Sequence, residues 1–301
     1  MNTATLSSYR LWAYLQLMRP ANIVTAWADI LAGFAASGCI FNNNAAIGSL
    51  AWLLLATTGL YGGGVVFNDV FDAELDAQER PERPIPSGRA THKGAILLGS
   101  LLLSLGVAAA AQVSWLSATL AMGIALTALF YDAFGKHHSL LGPINMGICR
   151  GGNLLLGVSV LPAMAGEYWF LALIPIVYIA GITVLSRGEV HGAKLSTAVV
   201  ALLLISTVIG GLLGLGLLQN YQLLTALAFL ILFAIRVLIP FIKAVLEPSP
   251  EQIRIAVKAG ILSLIVLDAT VAAGFAGLPY GLIVLSLLPI STALAQMFAV
   301  T

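Results

Sequence analysis

Ten stretches of this chain, near residues 22–41, 48–67, 94–112, 115–131, 140–162, 168–186, 195–217, 222–243, 256–275 and 279–298, are apolar over close to the length a helix needs to cross a bilayer. That length is about 20 residues, because an α-helix rises about 1.5 Å per residue and the hydrocarbon layer is about 30 Å thick. Lipid offers no partner for backbone polar groups, so the runs predict helices and the chain predicts an all-α, polytopic transmembrane bundle of nine to ten spans. Composition agrees. Hydrophobic residues make up 59% of the chain and Asp, Glu, Lys and Arg only 9%, with a mean hydropathy of +0.98, whereas a hydrated surface ordinarily takes about 25% charged residues. A water-soluble globule is excluded. The net charge of +1, with 14 Lys and Arg spread thinly, leaves no broad basic face for nucleic acid.

The breaks between the runs alternate. Those at 42–47, 113–115, 163–167, 218–221 and 276–278 hold no Lys or Arg, whereas the other set holds Arg80, Arg83, Arg89, Lys93, Lys136, Arg187, Lys194, Lys243 and Arg254. The positive-inside bias puts the basic set and both termini in the cytoplasm, as in an integral multi-pass protein of the bacterial inner-membrane type. Residues 1–20, with Arg10, Arg19 and an amphipathic run between them, read as an interfacial helix and not a signal peptide. The whole chain, 1–301, reads as one transmembrane domain. The Gly277-Leu278-Pro279 break leaves the tenth run open between a span, a kinked segment and a re-entrant turn.

One basic-side segment, 68–93, collects six of the 13 acidic residues together with Arg80, Arg83, Arg89 and Lys93. It follows Tyr61-Gly62-Gly63-Gly64 and opens Asn68-Asp69-Val70-Phe71-Asp72-Ala73-Glu74-Leu75-Asp76. On a continuing helix Asn68, Asp72 and Asp76 advance about 40° per step, and Asp69, Asp72 and Asp76 fall within roughly a 60° arc. Crowded oxygens of this kind repel unless a cation sits among them, and an all-oxygen donor set suits Mg²⁺. The alternative is a solvated helix end, salt-bridged to Arg80 and Arg83. The glycines allow a helix or a ligand to approach the backbone closely. Three prolines then stiffen the chain around Arg83 and Arg89, and arginine is well shaped for diphosphate.

Asn68-Asp69-x-x-Asp72-x-x-x-Asp76 followed by Arg83-Pro84-Ile85-Pro86-Ser87-Gly88 resembles the first aspartate-rich signature of the UbiA superfamily of intramembrane prenyltransferases. Arg19-Pro20-x-Asn22 is similar to that family's opening, and Tyr131 with Lys136 to the Tyr and basic residue after its fourth helix. The resemblance runs from about residue 15 to 245. It implies a helical bundle around a central cavity open sideways to lipid, and an enzyme that transfers an isoprenyl group from a prenyl diphosphate to a lipophilic or aromatic acceptor within the membrane. Asn68, Asp69, Asp72 and Asp76 would hold Mg²⁺, with Asp69, Asp72, Asp76 and Lys136 as the catalytic set and Asn22, Arg83 and Tyr131 on the substrate. Tyr61, Phe67, Tyr131 and Tyr178 would either shelter a carbocation or simply pack.

The second aspartate-rich motif of such enzymes is reduced here to one carboxylate in Arg187-Gly188-Glu189-Val190-His191-Gly192-Ala193-Lys194. Glu189 would be a metal ligand, with Arg187 and Lys194 on phosphate, or the loop is a short basic topology marker. This departure resembles the EboC-like bacterial branch, whose work is tied to secondary-metabolite biosynthesis, and it keeps a second function open: a carrier of a lipophilic metabolite that has lost the transfer chemistry. Within the spans, Arg150 would cost about 2.5 to 3.5 kcal/mol unpaired. Asn145, Arg150 and Asn153 form a polar patch that binds a phosphate or acceptor headgroup, or else Arg150 pairs with Asp29 or Asp268. Asp29 is also a candidate base for the acceptor proton, and Arg236 can snorkel and is given no role.

Overall fold

The computed structural model describes residues 3–41 and 44–298; Asn42 and Asn43, from the first non-basic break, and the extreme termini lie outside the described residues. The described residues are helical with no strand. In order they form α1 (Thr3–Met18), α2 (Pro20–Ala36), α3 (Asn44–Phe71), α4 (Ala73–Glu79), α5 (His92–Ala111), α6 (Trp115–Ala133) and α7 (Leu141–Val158). The second half holds α8 (Pro162–Glu167), α9 (Leu173–Ser186), α10 (Leu195–Gly214), α11 (Leu223–Leu246), α12 (Pro250–Ala276), α13 (Leu278–Leu285) and α14 (Leu287–Met297). Eight of the described helical segments are long and apolar enough to cross a membrane; α2 and α7, at 17 and 18 residues, are helices of the same bundle outside that set.

Those two helices are the polar ones. They carry Asn22, Thr25, Asp29, Asn145, Arg150 and Asn153, all buried; α2 is enclosed by protein along most of its length, and α7 turns its polar face inward while Leu141, Ile144, Met146 and Ile148 are exposed. Close approach of α2 and α7 is made possible by Gly33 and Gly157: a Cβ at Gly33 would collide with the Leu154 carbonyl oxygen, and one at Gly157 with that of Ile30. The approach lets Arg150 on α7 reach Asp29 on α2 at 2.8 Å. The Arg150 guanidinium also donates to Thr25 Oγ1 at 2.9 Å, and Asn153 donates to the Asp29 carboxylate at 2.8 Å. Of the two readings of Arg150, the ion pair with Asp29 is the one formed. Asp268, on α12, is fully buried and close enough to Asp29 and Arg150 to feel both charges, but among the described residues only Asp29 forms the ion pair with the guanidinium.

α1 is helical as expected, with Ala13 and Leu17 buried and Leu11, Trp12 and Leu15 exposed. The tenth run is a returning span in two pieces. The chain turns at Gly277, whose φ of 85° is left-handed, and the helix breaks once more at Ser286. Tyr280 donates to the Leu31 carbonyl oxygen and Ser291 to that of Ala21, so α13 and α14 run antiparallel beside α2. Phe298 then stacks on Trp12 with ring centroids 4.6 Å apart. The two described ends therefore meet on one face of the bundle, the face of the basic loops.

Removing the cation of the Asp29 pair strands a buried charge, whereas removing the surplus acid does not. Arg150→Met is expected to lose about 3 to 5 kcal/mol of unfolding free energy, and Asp268→Asn to change it by less than about 1 kcal/mol. Denaturant titration of the detergent-solubilised protein reads both, and equal losses would contradict the pairing.

Candidate active site

α3 does not end cleanly at the membrane edge. The Asp72 N–H donates to the Asn68 carbonyl oxygen at 3.0 Å and that of Asp76 to Asp72 at 2.8 Å, so α4 continues the course of α3 after a slight break at Asp72, whose φ is −89° and ψ 1°. Asn68, Asp72 and Asp76 accordingly face one cavity of about 490 Å³. Asp69 does not: it lies behind that face, bound by Arg19 at 2.7 Å and Arg83 at 3.4 Å. Asp69 is still close to Asp76, since one Arg83 nitrogen contacts both, but its carboxylate is taken by Arg19 and is not part of the cavity lining.

Every carboxylate of the motif has a basic partner. Arg83 reaches Asp76 at 2.7 Å as well as Asp69, and Lys136 reaches Asp72 at 2.5 Å. The Pro-rich turn locks Arg83 in place: Ser87 Oγ donates to the Arg83 carbonyl oxygen at 2.7 Å, and Arg89 donates to the Glu82 carbonyl oxygen at 2.6 Å and to Gln16 at 2.8 Å. Arg19 adopts φ 49°, a left-handed conformation that costs a non-glycine residue of order 1 to 3 kcal/mol. That bend between α1 and α2 turns its side chain onto Asp69. As a result no group of three or more His, Cys, Asp or Glu converges on one metal-sized point among the described residues. The salt-bridged reading describes the motif in this state.

The cavity wall opposite is built by α6, α7 and the segment after α9. Tyr131, Asp132 and Lys136 come from α6 and its end, Cys149, Arg150 and Asn153 from α7, and Glu189 from beyond α9. Glu189 therefore shares a cavity with Asn68, Asp72 and Asp76. Burial pushes its carboxyl above the usual 4.5, against the pull of Arg80 and Arg254. Asn22, Arg19 and Arg83 also line the space. Asp132 accepts from Asn68 Nδ2 at 2.9 Å and was passed over in the sequence, although it is an acid next to Tyr131 at the end of a span. Arg19, expected on an interfacial helix and in the family-like opening, is a cavity residue as well. The acid and amide groups lining the cavity are all hard-oxygen donors, which fits Mg²⁺ chemically.

Several expected site residues lie elsewhere. Asn145, oriented to satisfy its amide, donates to the Thr127 carbonyl oxygen at 3.2 Å and accepts from the Tyr131 N–H at 3.3 Å, so it fastens α7 to α6 and does not reach the cavity. Arg187 donates to the His138 carbonyl oxygen at 2.9 Å, and Lys194 is exposed; neither lines the cavity. Asp29 is fully buried and committed to Arg150, so it is not a base for an acceptor in the cavity. Of the four aromatics, Tyr61 and Tyr131 line it, Tyr61 with the Arg150 guanidinium 5.5 Å above its ring. Phe67 packs against Gly99 of α5 and Tyr178 donates to the Gly260 carbonyl oxygen. Gly63 serves helix packing: a Cβ there would stand 2.8 Å from Leu103.

A sequence profile described as the UbiA prenyltransferase family matches residues 21–244. The chain belongs to the UbiA prenyltransferase family. Digeranylgeranylglyceryl phosphate synthase of Ignicoccus hospitalis is 33% identical over 189 residues, which cover 62% of this chain and 60% of that protein. The chain thus matches little more than half the length of such curated relatives. A solved digeranylgeranylglyceryl phosphate synthase structure has a TM-score of 0.68 at 20% identity, covering 90% of this chain and 99% of the other. A UbiA homologue from Archaeoglobus fulgidus bound to GPP and Mg²⁺ has a TM-score of 0.52 at 14% identity, covering 94% and 99%. These likenesses establish an integral, multi-pass membrane protein of UbiA fold.

Because the folded state raises the Glu189 pKa, the protonated form is relatively favoured on folding, and the penalty for ionising it accrues as pH rises above about 4.5. Metal-free Glu189→Gln is expected to melt above the parent protein at pH 7, the gap closing below that value. A gap that widens in acid would refute the assigned burial.

Proposed function

We propose that the protein transfers an isoprenyl group from a prenyl diphosphate to a lipophilic acceptor in the membrane, with Mg²⁺ as cofactor. The observation that carries this reading is one cavity in which oxygen donors (Asn68, Asp72, Asp76), cations (Arg19, Arg83, Lys136) and apolar wall residues such as Leu60, Ile124 and Leu264 meet. A prenyl diphosphate has the same polarity, an anionic head on a hydrocarbon tail. Its relatives' names and the GPP-bound homologue support the reading. Orientation follows the positive-inside bias, with both ends and the 68–93 segment cytoplasmic.

Asn68, Asp72 and Asp76 would hold Mg²⁺, with Asp69 behind them and Glu189 and Asp132 facing them. The bound ion would neutralise charge that builds on the departing diphosphate. Arg83 and Lys136, which hold Asp76 and Asp72, would bind the phosphate oxygens, and Arg19 and Asn22 line the same space. Tyr61 and Tyr131 line the same cavity, where aromatic rings would help shelter an allylic cation from water. Asp132, facing the cavity, is placed to accept the proton that the acceptor loses. Residues 187–194 contribute Glu189 alone. The acceptor is a phosphate-bearing glyceryl lipid, by the relatives' names, ahead of an aromatic compound.

Purified protein with GPP, Mg²⁺ and either acceptor class is expected to release diphosphate, and Asp72→Asn to slow release by at least about 100-fold. Absent turnover with GPP bound, together with metabolite flux across proteoliposomes that Asp72→Asn leaves intact, would replace transferase with carrier. Lys136→Met is expected to free Asp72 and tighten diphosphate-free Mn²⁺ binding about tenfold, some 1.4 kcal/mol, while slowing turnover. Unchanged Mn²⁺ affinity by paramagnetic resonance would count against Asp72 as a ligand.

A further inference from the structure

A second cavity, of about 480 Å³, lies between α11, α12 and α14. Leu262, Leu288 and Pro289 give it apolar walls, and Arg236, Thr292 and Gln296 give it polar atoms. None of these residues belongs to the active-site cavity.

Arg236 sits inside a membrane-crossing helix, yet among the described residues it has no ion pair, and its Nε is buried without a hydrogen-bond partner. The buried acid of the neighbouring α12, Asp268, is turned to Asp29 and Arg150. An unpaired guanidinium at this depth is expensive, so a residue of this kind ordinarily faces an anion or reaches for the interface. Seven residues separate it from Lys243 at the basic end of α11, about 10 Å along the axis, which is within a few ångströms of what a snorkelling side chain spans. Thr292 and Gln296 are one turn apart on a single face of α14 and so extend the polar line toward the same membrane surface. Thr292 Oγ1 already donates to the Leu288 carbonyl oxygen; the free donors are those of Arg236 and the Gln296 amide.

The geometry points to a lateral site for the phosphate of an anionic amphiphile: an anionic lipid whose headgroup lies against Arg236 and Gln296 and whose chains follow Leu262, Leu288 and the exposed flank of α14. The groove offers a cation and no acid, which selects for negative charge. It opens from within the span, which selects for a ligand that arrives through the bilayer.

Native mass spectrometry of the full-length protein in detergent, with phosphatidylglycerol, phosphatidylcholine or inorganic phosphate as the probe, tests the assignment. Phosphatidylglycerol is expected to be retained at least about fivefold better than phosphatidylcholine. Arg236→Gln should cut that retention about tenfold and leave diphosphate release unchanged, and Arg236→Lys should keep most of it. Should Arg236→Gln fail to fold, Gln296→Leu carries the comparison with a loss of a few fold. Equal retention of the two lipids, retention indifferent to these variants, or stabilisation by inorganic phosphate alone would each overturn the proposal.

Discussion

A charge in a low-dielectric interior must have a partner, and the arrangement of this protein follows from that requirement. Arg150 can occupy the middle of α7 because Asp29 faces it from α2, and the two can face each other because Gly33 and Gly157 let the backbones approach. The same helices then present Asn22, Arg150 and Asn153 to the central cavity. The helices least suited to lipid by composition are therefore the ones that shape the reactive space, and the apolar helices around them serve as the shield.

The requirement acts again at the membrane edge. Asp69, Asp72 and Asp76 could not stand together unneutralised, and Arg19, Arg83 and Lys136 divide them. Those contacts fix α1, the Pro-rich turn and the end of α6 against α3 and α4. The first motif is thus a structural junction between four parts of the chain as well as a set of donors. Arg19 holds a left-handed conformation for the sake of one of these pairs, which places local strain beside the proposed site rather than in the scaffold.

The helical runs were legible because hydropathy over a bilayer's thickness is a strong, local signal, and all ten correspond to helices. Trp12 meets Phe298, which fits an even number of crossings between them. Asn68, Asp72 and Asp76 were legible because a helical period is local too. What failed was nonlocal. Whether Asn145 turned to the cavity or to the Tyr131 backbone depended on how α6 meets α7, and Arg187 meets the carbonyl oxygen of His138, 49 residues away. Asp132 went unnoticed because its partner, Asn68, is 64 residues away.

Charge counting along the cavity connects these points. Its lining holds Arg19, Arg80, Arg83, Lys136 and Arg150 against Asp72, Asp76, Glu79, Asp132 and Glu189, five of each sign. A diphosphate entering such a balanced space adds several negative charges without a counterion, so entry is favourable only if positive charge comes with it or an acid gives up its charge. A divalent ion brings that charge, and the carboxylates that would take it are those now held by lysine and arginine. In the proposed reaction Asp72 and Asp76 would hold the metal and Arg83 and Lys136 the phosphate, so that both sets of charges would keep partners. On this argument the thin second motif is less of a deficit than its sequence suggests, because Asp132 and Glu189 already supply carboxylates on the wall that faces the first motif.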